Sequence, residues 1–218
     1  MSILFALISI IGIYCLIRNF INLKKAIDLA ENSLFPVAEG QFSSVLIPGE
    51  WKITSRLSKQ TKSYRIVKWG TGAVLILMAT LLVLVMYIDW LSSSLFSSAY
   101  LFYLILNAVK HPGNFYIVPN GIILESKFIP SSDIKEYSVE KIVRWHALYG
   151  LDSRVNNGFK VSFNFKNKLA PPDYVVITEK KELETVIELL NAQGIYSKVQ
   201  IDESTGTAGS QGEWKDSK

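Results

Sequence analysis

Two histidines, His111 and His146, are the side chains best suited to acid–base or metal chemistry in this 218-residue sequence. His111 directly follows an apolar run and its lysine, and His146 stands beside Trp145 in a segment of alternating character. A metal site would need carboxylates brought to these histidines by the fold, and no ligand spacing such as HExxH occurs. We therefore expect a surface or packing role for each histidine rather than catalysis.

Other signatures of catalysis are also missing from the sequence. No GxSxG, Walker or GxGxxG motif is present. Cys15 is the one cysteine, which excludes a disulfide within the chain and a cysteine-based metal site. The sequence thus predicts a protein that is not an enzyme and has no catalytic, cofactor-binding or metal-binding residues.

The longest element predicted from the sequence is the apolar run between Trp69 and Trp90, which carries no charge until Asp89. The hydrocarbon core of a bilayer is about 30 Å thick and is crossed by roughly 20 apolar residues of helix. Aromatic rings at both ends of the run are typical of membrane interfaces. With 49% hydrophobic and 19% charged residues, the composition agrees with a membrane protein.

Two further membrane spans are expected. Residues 1–23 are mostly apolar and are followed by cations, the reverse of a secretory signal, which predicts an uncleaved first transmembrane helix. The segment 91–109 resumes the apolar pattern, so residues 69–110 are predicted to form a transmembrane hairpin. Three spans place the N-terminus outside a cell membrane, and the loop 24–68 and the C-terminal domain in the cytosol.

The loop 24–68 concentrates positive charge, although the formal net charge of the whole chain is only +4. Its basic residues fit an orientation signal better than a nucleic-acid patch, so no nucleic-acid partner is expected. An alternative is a segment that lies against anionic lipid. The candidate lipid-contact residues recur every third position: Arg56, Lys59, Lys62, Arg65 and Lys68.

A small antiparallel β domain is predicted over residues 112–199, where the apolar period changes to two. Asn120-Gly121 is a strong hairpin signal, because both residues tolerate positive φ. Leu183, Val186, Ile187 and Leu190 have the spacing of one buried helical stripe, with Thr178 as N-cap and Gly194 as C-terminal stop. Residues 200–218 are rich in small polar and charged side chains, which predicts a disordered tail.

The order of these elements resembles the pleckstrin-homology-like domains that bacteria attach to membrane spans. The resemblance rests on residues 120–124, on residues 128–137 and on the helix that follows residues 174–177. It implies a bent seven-stranded sheet or barrel capped by the C-terminal helix. It also implies a scaffold that binds protein or lipid in a bacterial cell membrane.

The expected fold is therefore three transmembrane helices followed by a small antiparallel β domain with a C-terminal helix. Two functions fit this expectation. In the first, the β domain is a non-catalytic docking or regulatory module for a membrane or cytosolic protein, whose extended segment it takes up at a sheet edge or in the groove beside the helix. In the second, the basic loop and the β domain recognise anionic membrane lipids.

Overall fold

The computed structural model describes residues 2–48, 51–54, 56–87, 113–166 and 173–198. The helices are α1 (Ser2–Ala30), α2 (Glu39–Ser44), α3 (Lys62–Tyr87) and α4 (Lys180–Ala192). The strands are β1 (Val45–Ile47), β2 (Lys52–Ile53), β3 (Phe115–Val118), β4 (Gly121–Leu124), β5 (Lys127–Pro130), β6 (Ile134–Lys141), β7 (Phe159–Phe165) and β8 (Asp173–Ile177).

The strands form two sheets in which neighbouring strands are antiparallel. The larger sheet has the order β2-β1-β8-β7-β6, and the smaller has the order β3-β4-β5. The turn between β3 and β4 confirms the Asn120-Gly121 hairpin. Gly121 has a φ of 154°, and a Cβ atom there would collide with the carbonyl oxygen of Ile129. This turn therefore requires glycine.

One hydrophobic core is shared by the two sheets and α4. The rings of Phe115 and Phe163 belong to different sheets, and their centroids lie 5.8 Å apart. Alternating apolar residues of the strands other than β2 point into this space, as expected for half-buried strands. The buried members of the core are Phe35, Val45, Ile47, Phe115, Ile117, Ile122, Leu124, Ile134, Tyr137, Val161, Phe163, Val175, Ile177, Leu183, Val186, Leu190 and Ile195.

A second core lies on the other face of the smaller sheet, where α1 and the start of α3 pack against it. Leu23 and Ile27 of α1 are buried with Tyr116 of β3. The Tyr116 hydroxyl accepts a hydrogen bond from the backbone N–H of Leu57 at 2.7 Å. Burial of this hydroxyl raises the pKa of Tyr116 to about 12. Both faces of the smaller sheet are thus covered by apolar groups.

Helix α4 confirms the spacing that predicted it, because Leu183, Val186 and Leu190 are all buried. Gly194, with a φ of 74°, follows the end of the helix as predicted. The predicted N-cap is wrong: Glu179 occupies that position. Thr178 instead donates from its backbone N–H and its hydroxyl to the carbonyl oxygen of Ser44, at 2.8 and 3.2 Å.

The predicted membrane architecture is wrong for the part of the chain that the structure describes. No helix there combines the length and the apolar character needed to cross a membrane. The predicted transmembrane helices, the multi-pass cell-membrane location and the assignment of sides to the N-terminus and the loop are corrected accordingly. The predicted third span, 91–109, lies outside the described residues.

The described helices differ from the predicted spans in their bounds and in their contacts with the rest of the protein. The predicted first span ended at residue 23, but α1 continues to Ala30 and buries Leu23, Ala26 and Ile27 in the core. Helix α3 begins at Lys62, before the predicted span, and its first turns carry basic side chains. The two helices nevertheless expose large apolar side chains, among them Leu7, Ile10, Ile11, Tyr14, Ile17, Ile21, Ile66, Trp69, Ile76, Leu77 and Val83.

The predicted seven-stranded bent sheet or barrel is also wrong, because the structure has two open sheets of five and three strands. Strands β1 and β2 arise from the segment 24–68, which the sequence assigned to a basic loop. They contain three and two residues, too few to produce a recognisable period of two. Their identity as strands depends on pairing between β1 and the distant strand β8.

Shortening a core side chain of α4 tests the packing of this helix. We expect Leu190→Ala to lower the free energy of unfolding by about 2–5 kcal/mol, because the side chain is fully buried and a cavity would remain. Urea unfolding followed by circular dichroism measures the change. The control Glu188→Ala lies on the exposed face, and we expect it to alter stability by less than about 0.5 kcal/mol. Identical unfolding curves for Leu190→Ala and the wild type would contradict the packing described here.

Candidate functional site

Strand β6 forms one margin of the larger sheet, with β7 on its inner side. The N–H and C=O groups of one strand residue point to the same side, and this side alternates along the strand. The Ile142 N–H donates to the Gly158 carbonyl at 2.8 Å just beyond β6 and β7, so even-numbered positions point toward β7. The groups of Tyr137, Val139 and Lys141 point to the outer margin.

The outward groups of Tyr137 bind an extended segment from the end of the described chain. The Tyr137 N–H donates to the Tyr196 carbonyl at 3.1 Å, and the Lys198 N–H donates to the Tyr137 carbonyl at 2.6 Å. This pairing makes a parallel bridge between Tyr137 and Ser197. The outer margin of β6 therefore pairs with an extended segment at Tyr137.

The side chain of Tyr137 fixes this position from the core side. It is 1% exposed, and its hydroxyl donates to Asn191 Oδ1 of α4 at 2.9 Å. Burial raises the pKa of Tyr137, while hydrogen bonds with Asn191 and Ser197 act in the opposite direction. Tyr137 of strand β6 thus contacts both helix α4 and the extended segment of residues 196–198.

Beyond Tyr137, the residues that the structure describes leave outer backbone groups of β6 without partners. The outward N–H and C=O groups of Val139 and Lys141 have no hydrogen-bond partner among the residues that the structure describes. The Val139 side chain packs against the shared core, and Lys141 is exposed. Unpaired edge groups of this kind are a template for another extended chain.

A charged cluster lies at the end of β6, on the face of the sheet opposite the shared core. Glu140 Oε2 accepts a hydrogen bond from Lys160 Nζ at 3.1 Å and lies 3.2 Å from His146 Nε2. The Leu148 N–H donates to His146 Nδ1 at 3.0 Å, so Nε2 carries the ring proton and donates to Glu140. Burial acts to raise the pKa of Glu140, but the bonds from Lys160 and His146 outweigh it and lower the pKa.

The predicted lipid-contact residues lie elsewhere, before and within the first turns of α3. Lys59 forms an ion pair with Asp28 of α1 at 2.5 Å. The hydrogen bond to Asp28 and the charge of this carboxylate raise the pKa of Lys59. The other four, Arg56, Lys62, Arg65 and Lys68, are exposed. The structure brings the five residues into one region, and their role in lipid contact stays a prediction.

The remaining candidates from the sequence are the two histidines. His146 lies in the cluster with Glu140, and His111 lies outside the described residues. Across the described ranges, no group of three or more His, Cys, Asp or Glu side chains is arranged to hold a metal ion.

Sequence reasoning missed the segment that pairs with Tyr137. It placed residues up to 199 in the β domain but assigned no partner to Ser197. The signal that could have found this pairing is the alternation of Ile195, Ser197, Val199 and Ile201 with polar or exposed residues. Four alternating positions can predict an extended segment but not the strand with which it pairs. The tertiary structure determines that partner.

Comparison with known proteins found no match to this chain. No family model, no curated protein and no solved structure matches the chain. The resemblance to pleckstrin-homology-like domains therefore stays a prediction from the sequence.

The ion pairs of Glu140 predict a pH-dependent contribution to stability. A carboxyl whose pKa is lower in the folded chain stabilises the fold above its unfolded pKa, which is near 4.5. This stabilisation is lost as the pH falls through the folded pKa. We expect Glu140→Gln to lower the free energy of unfolding by about 0.5–1 kcal/mol at pH 7.

The difference between Glu140→Gln and the wild type should be smaller at about pH 3 than at pH 7, because this stabilisation is lost as the pH falls through the lowered folded pKa of Glu140. Urea unfolding at the two pH values measures it, with Glu188→Gln on the exposed face of α4 as the control. A destabilisation of equal size at both pH values would show that the carboxylate charge does not contribute.

Proposed function

We propose that this protein is a non-catalytic docking module that binds an extended segment of another protein at the outer margin of β6. Binding occurs by strand addition, in which the backbone groups of the ligand hydrogen-bond to the edge of the sheet. The observation that carries this proposal is the pairing of Tyr137 with residues 196–198, because an extended chain already occupies part of the same margin.

The open groups of β6 support the proposal. Val139 and Lys141 continue the row of outward donors and acceptors that begins at Tyr137, and the described residues leave them without partners. A ligand strand along this row would gain backbone hydrogen bonds at positions that the fold holds in an extended conformation. Such bonds give affinity, and the side-chain positions on the two faces of the added strand give specificity.

Trp145 supplies a second reason to favour binding near this end of the sheet. It lies in the turns that follow β6, and its side chain is 84% exposed. Tryptophan is enriched among the residues that dominate binding energy at protein interfaces.

The charged cluster beside the margin supports a non-catalytic role. Both ring nitrogens of His146 are engaged, one by the Leu148 N–H and the other by Glu140. A general base needs a free nitrogen lone pair directed at its substrate, and Nδ1 has its lone pair occupied. The cluster thus holds the turn after β6 against the sheet.

Recognition of anionic lipid headgroups by the basic segment has less support. Lys59 pairs with Asp28, and each basic residue near an anionic surface contributes only about 1 kcal/mol. On the β domain, Lys135 and Lys141 alternate with Glu136 and Glu140, which reduces the net attraction. Co-sedimentation of the full chain with phosphatidylserine vesicles, lost in Arg65→Gln and Lys68→Gln, would favour this alternative.

A matched pair of variants at Lys141 tests the docking proposal. Proline is tolerated at an edge strand when its missing N–H faces outward, so Lys141→Pro should fold while blocking strand addition. Lys141→Ala removes the same side chain but keeps the N–H. We expect peptides selected on the full chain from a displayed library of linear peptides to bind Lys141→Ala normally and Lys141→Pro about tenfold more weakly.

The selection is run on the wild-type chain and on Lys198→Pro, which removes the N–H that joins Lys198 to Tyr137. Fluorescence anisotropy measures the affinities, and thermal unfolding verifies that each variant is folded. No enriched peptide on either protein, or equal affinity for the two Lys141 variants, would overturn the proposal. Peptides with a methylated backbone nitrogen at the pairing positions should also lose binding.

A further inference from the structure

The segment Tyr196–Lys198 occupies the position that a docked ligand needs at Tyr137. It runs parallel to β6 and uses both outward groups of Tyr137. A ligand that extends along Tyr137, Val139 and Lys141 must therefore displace it. The inference that follows rests on the proposed docking function.

We infer that Tyr196–Lys198 is an autoinhibitory strand, a built-in competitor whose release exposes the complete β6 margin. The partner it imitates is an extended segment with Ser or Thr opposite Tyr137 and a β-branched apolar residue two positions later. These side-chain requirements follow from the two faces of the margin.

The face toward the core determines the first requirement. Directly paired residues in a sheet place their side chains on the same face, so Ser197 lies on the face of the buried Tyr137. Its hydroxyl lies near enough to the Tyr137 hydroxyl to act against the rise in the pKa of this phenol. A small hydroxyl residue satisfies this phenol, whereas a large apolar side chain would leave a buried polar group with one partner fewer.

The next paired position faces Val139, whose side chain packs against the shared core. A β-branched apolar residue there extends the core surface and suits an extended backbone.

On the face of β6 opposite the core, the charge of the ligand side chains matters, but less strictly than the side-chain type on the core face. Side chains there share the surface with Glu136, Ser138 and Glu140, and in the chain itself they include the exposed Tyr196 and Lys198. A basic or aromatic residue at these ligand positions would lie beside the two carboxylates. Glu140 is paired with Lys160, and Glu136 accepts a hydrogen bond from Asn164 Nδ2 at 3.1 Å.

The small number of bonds makes the strand displaceable. Two backbone hydrogen bonds and one hydroxyl contact hold it to β6, and the side chain of Tyr196 is 75% exposed. Short segments with few buried contacts open locally without unfolding the domain. The anchor before the segment is stronger, because Ile195 is buried in the core and its N–H donates to the Leu190 carbonyl at 3.1 Å.

The test uses a labelled peptide with the sequence of residues 195–202 and three full-length proteins. Lys198→Pro removes the N–H that binds the Tyr137 carbonyl, and Lys198→Ala keeps it while removing the same charge. We expect the peptide to bind Lys198→Pro about tenfold more tightly than the wild type or Lys198→Ala, because a site that is about 90% occupied internally loses tenfold in apparent affinity. Ser197→Ala should give an intermediate gain.

The controls separate the failure of this inference from the failure of the docking function. Equal peptide affinity for all three proteins, lost on adding Lys141→Pro, would overturn autoinhibition and retain docking at β6. No binding of this peptide to any protein, together with no enriched peptide in the selection, would overturn both. A scrambled peptide of the same composition should not bind, and hydrogen exchange at Tyr137 should increase in Lys198→Pro but not in Lys198→Ala.

Discussion

Both faces of the three-stranded sheet must be covered, because β3 and β4 present apolar side chains in both directions. Phe115, Ile117 and Ile122 enter the core shared with the larger sheet, and Tyr116 and Ile123 enter the core formed by α1 and α3. A sheet with one open face would expose one of these sets to water, at a cost that rises with the apolar area left uncovered. The arrangement of the helices and of the larger sheet follows from this constraint.

The same packing holds β6, one of the two edge strands of the larger sheet. Helix α4 covers the shared core and extends Gln193 to the Val118 carbonyl of the smaller sheet, at 2.6 Å. Tyr137 joins α4 to β6 through Asn191, so β6 is held firmly from inside while its outer groups face away from the sheet. Natural sheets protect such edges with charged side chains or a covering segment. Here Lys135 and Lys141 are exposed along β6, and residues 196–198 cover its middle.

Helices α1 and α3 pack against the smaller sheet over part of their length and expose apolar side chains over another part. The last turns of α1 belong to the core, and Lys25 Nζ lies 5.1 Å from the ring centroid of Phe128 in β5. The stacked rings of Phe20 and Tyr64, with centroids 6.4 Å apart, join α1 to the start of α3. Further along, Ile10, Tyr14 and Trp69 are more than half exposed. Exposed apolar surface of this extent is characteristic of interaction sites.

Local patterns in the sequence determined the β3–β4 hairpin, strand β7 and the buried stripe of α4, because turn chemistry and side-chain periodicity act over a few neighbouring residues. They also identified the apolar segments but not their partners. Apolarity alone does not distinguish a helix that packs on a sheet from one in lipid, and Leu23 and Ile27 belong to the first kind. Tertiary structure decided the rest: the strands β1 and β2, the division into two sheets, and the pairing of Tyr137 with residues 196–198. Each of these depends on contacts between residues far apart in the chain, whose energies no local pattern records.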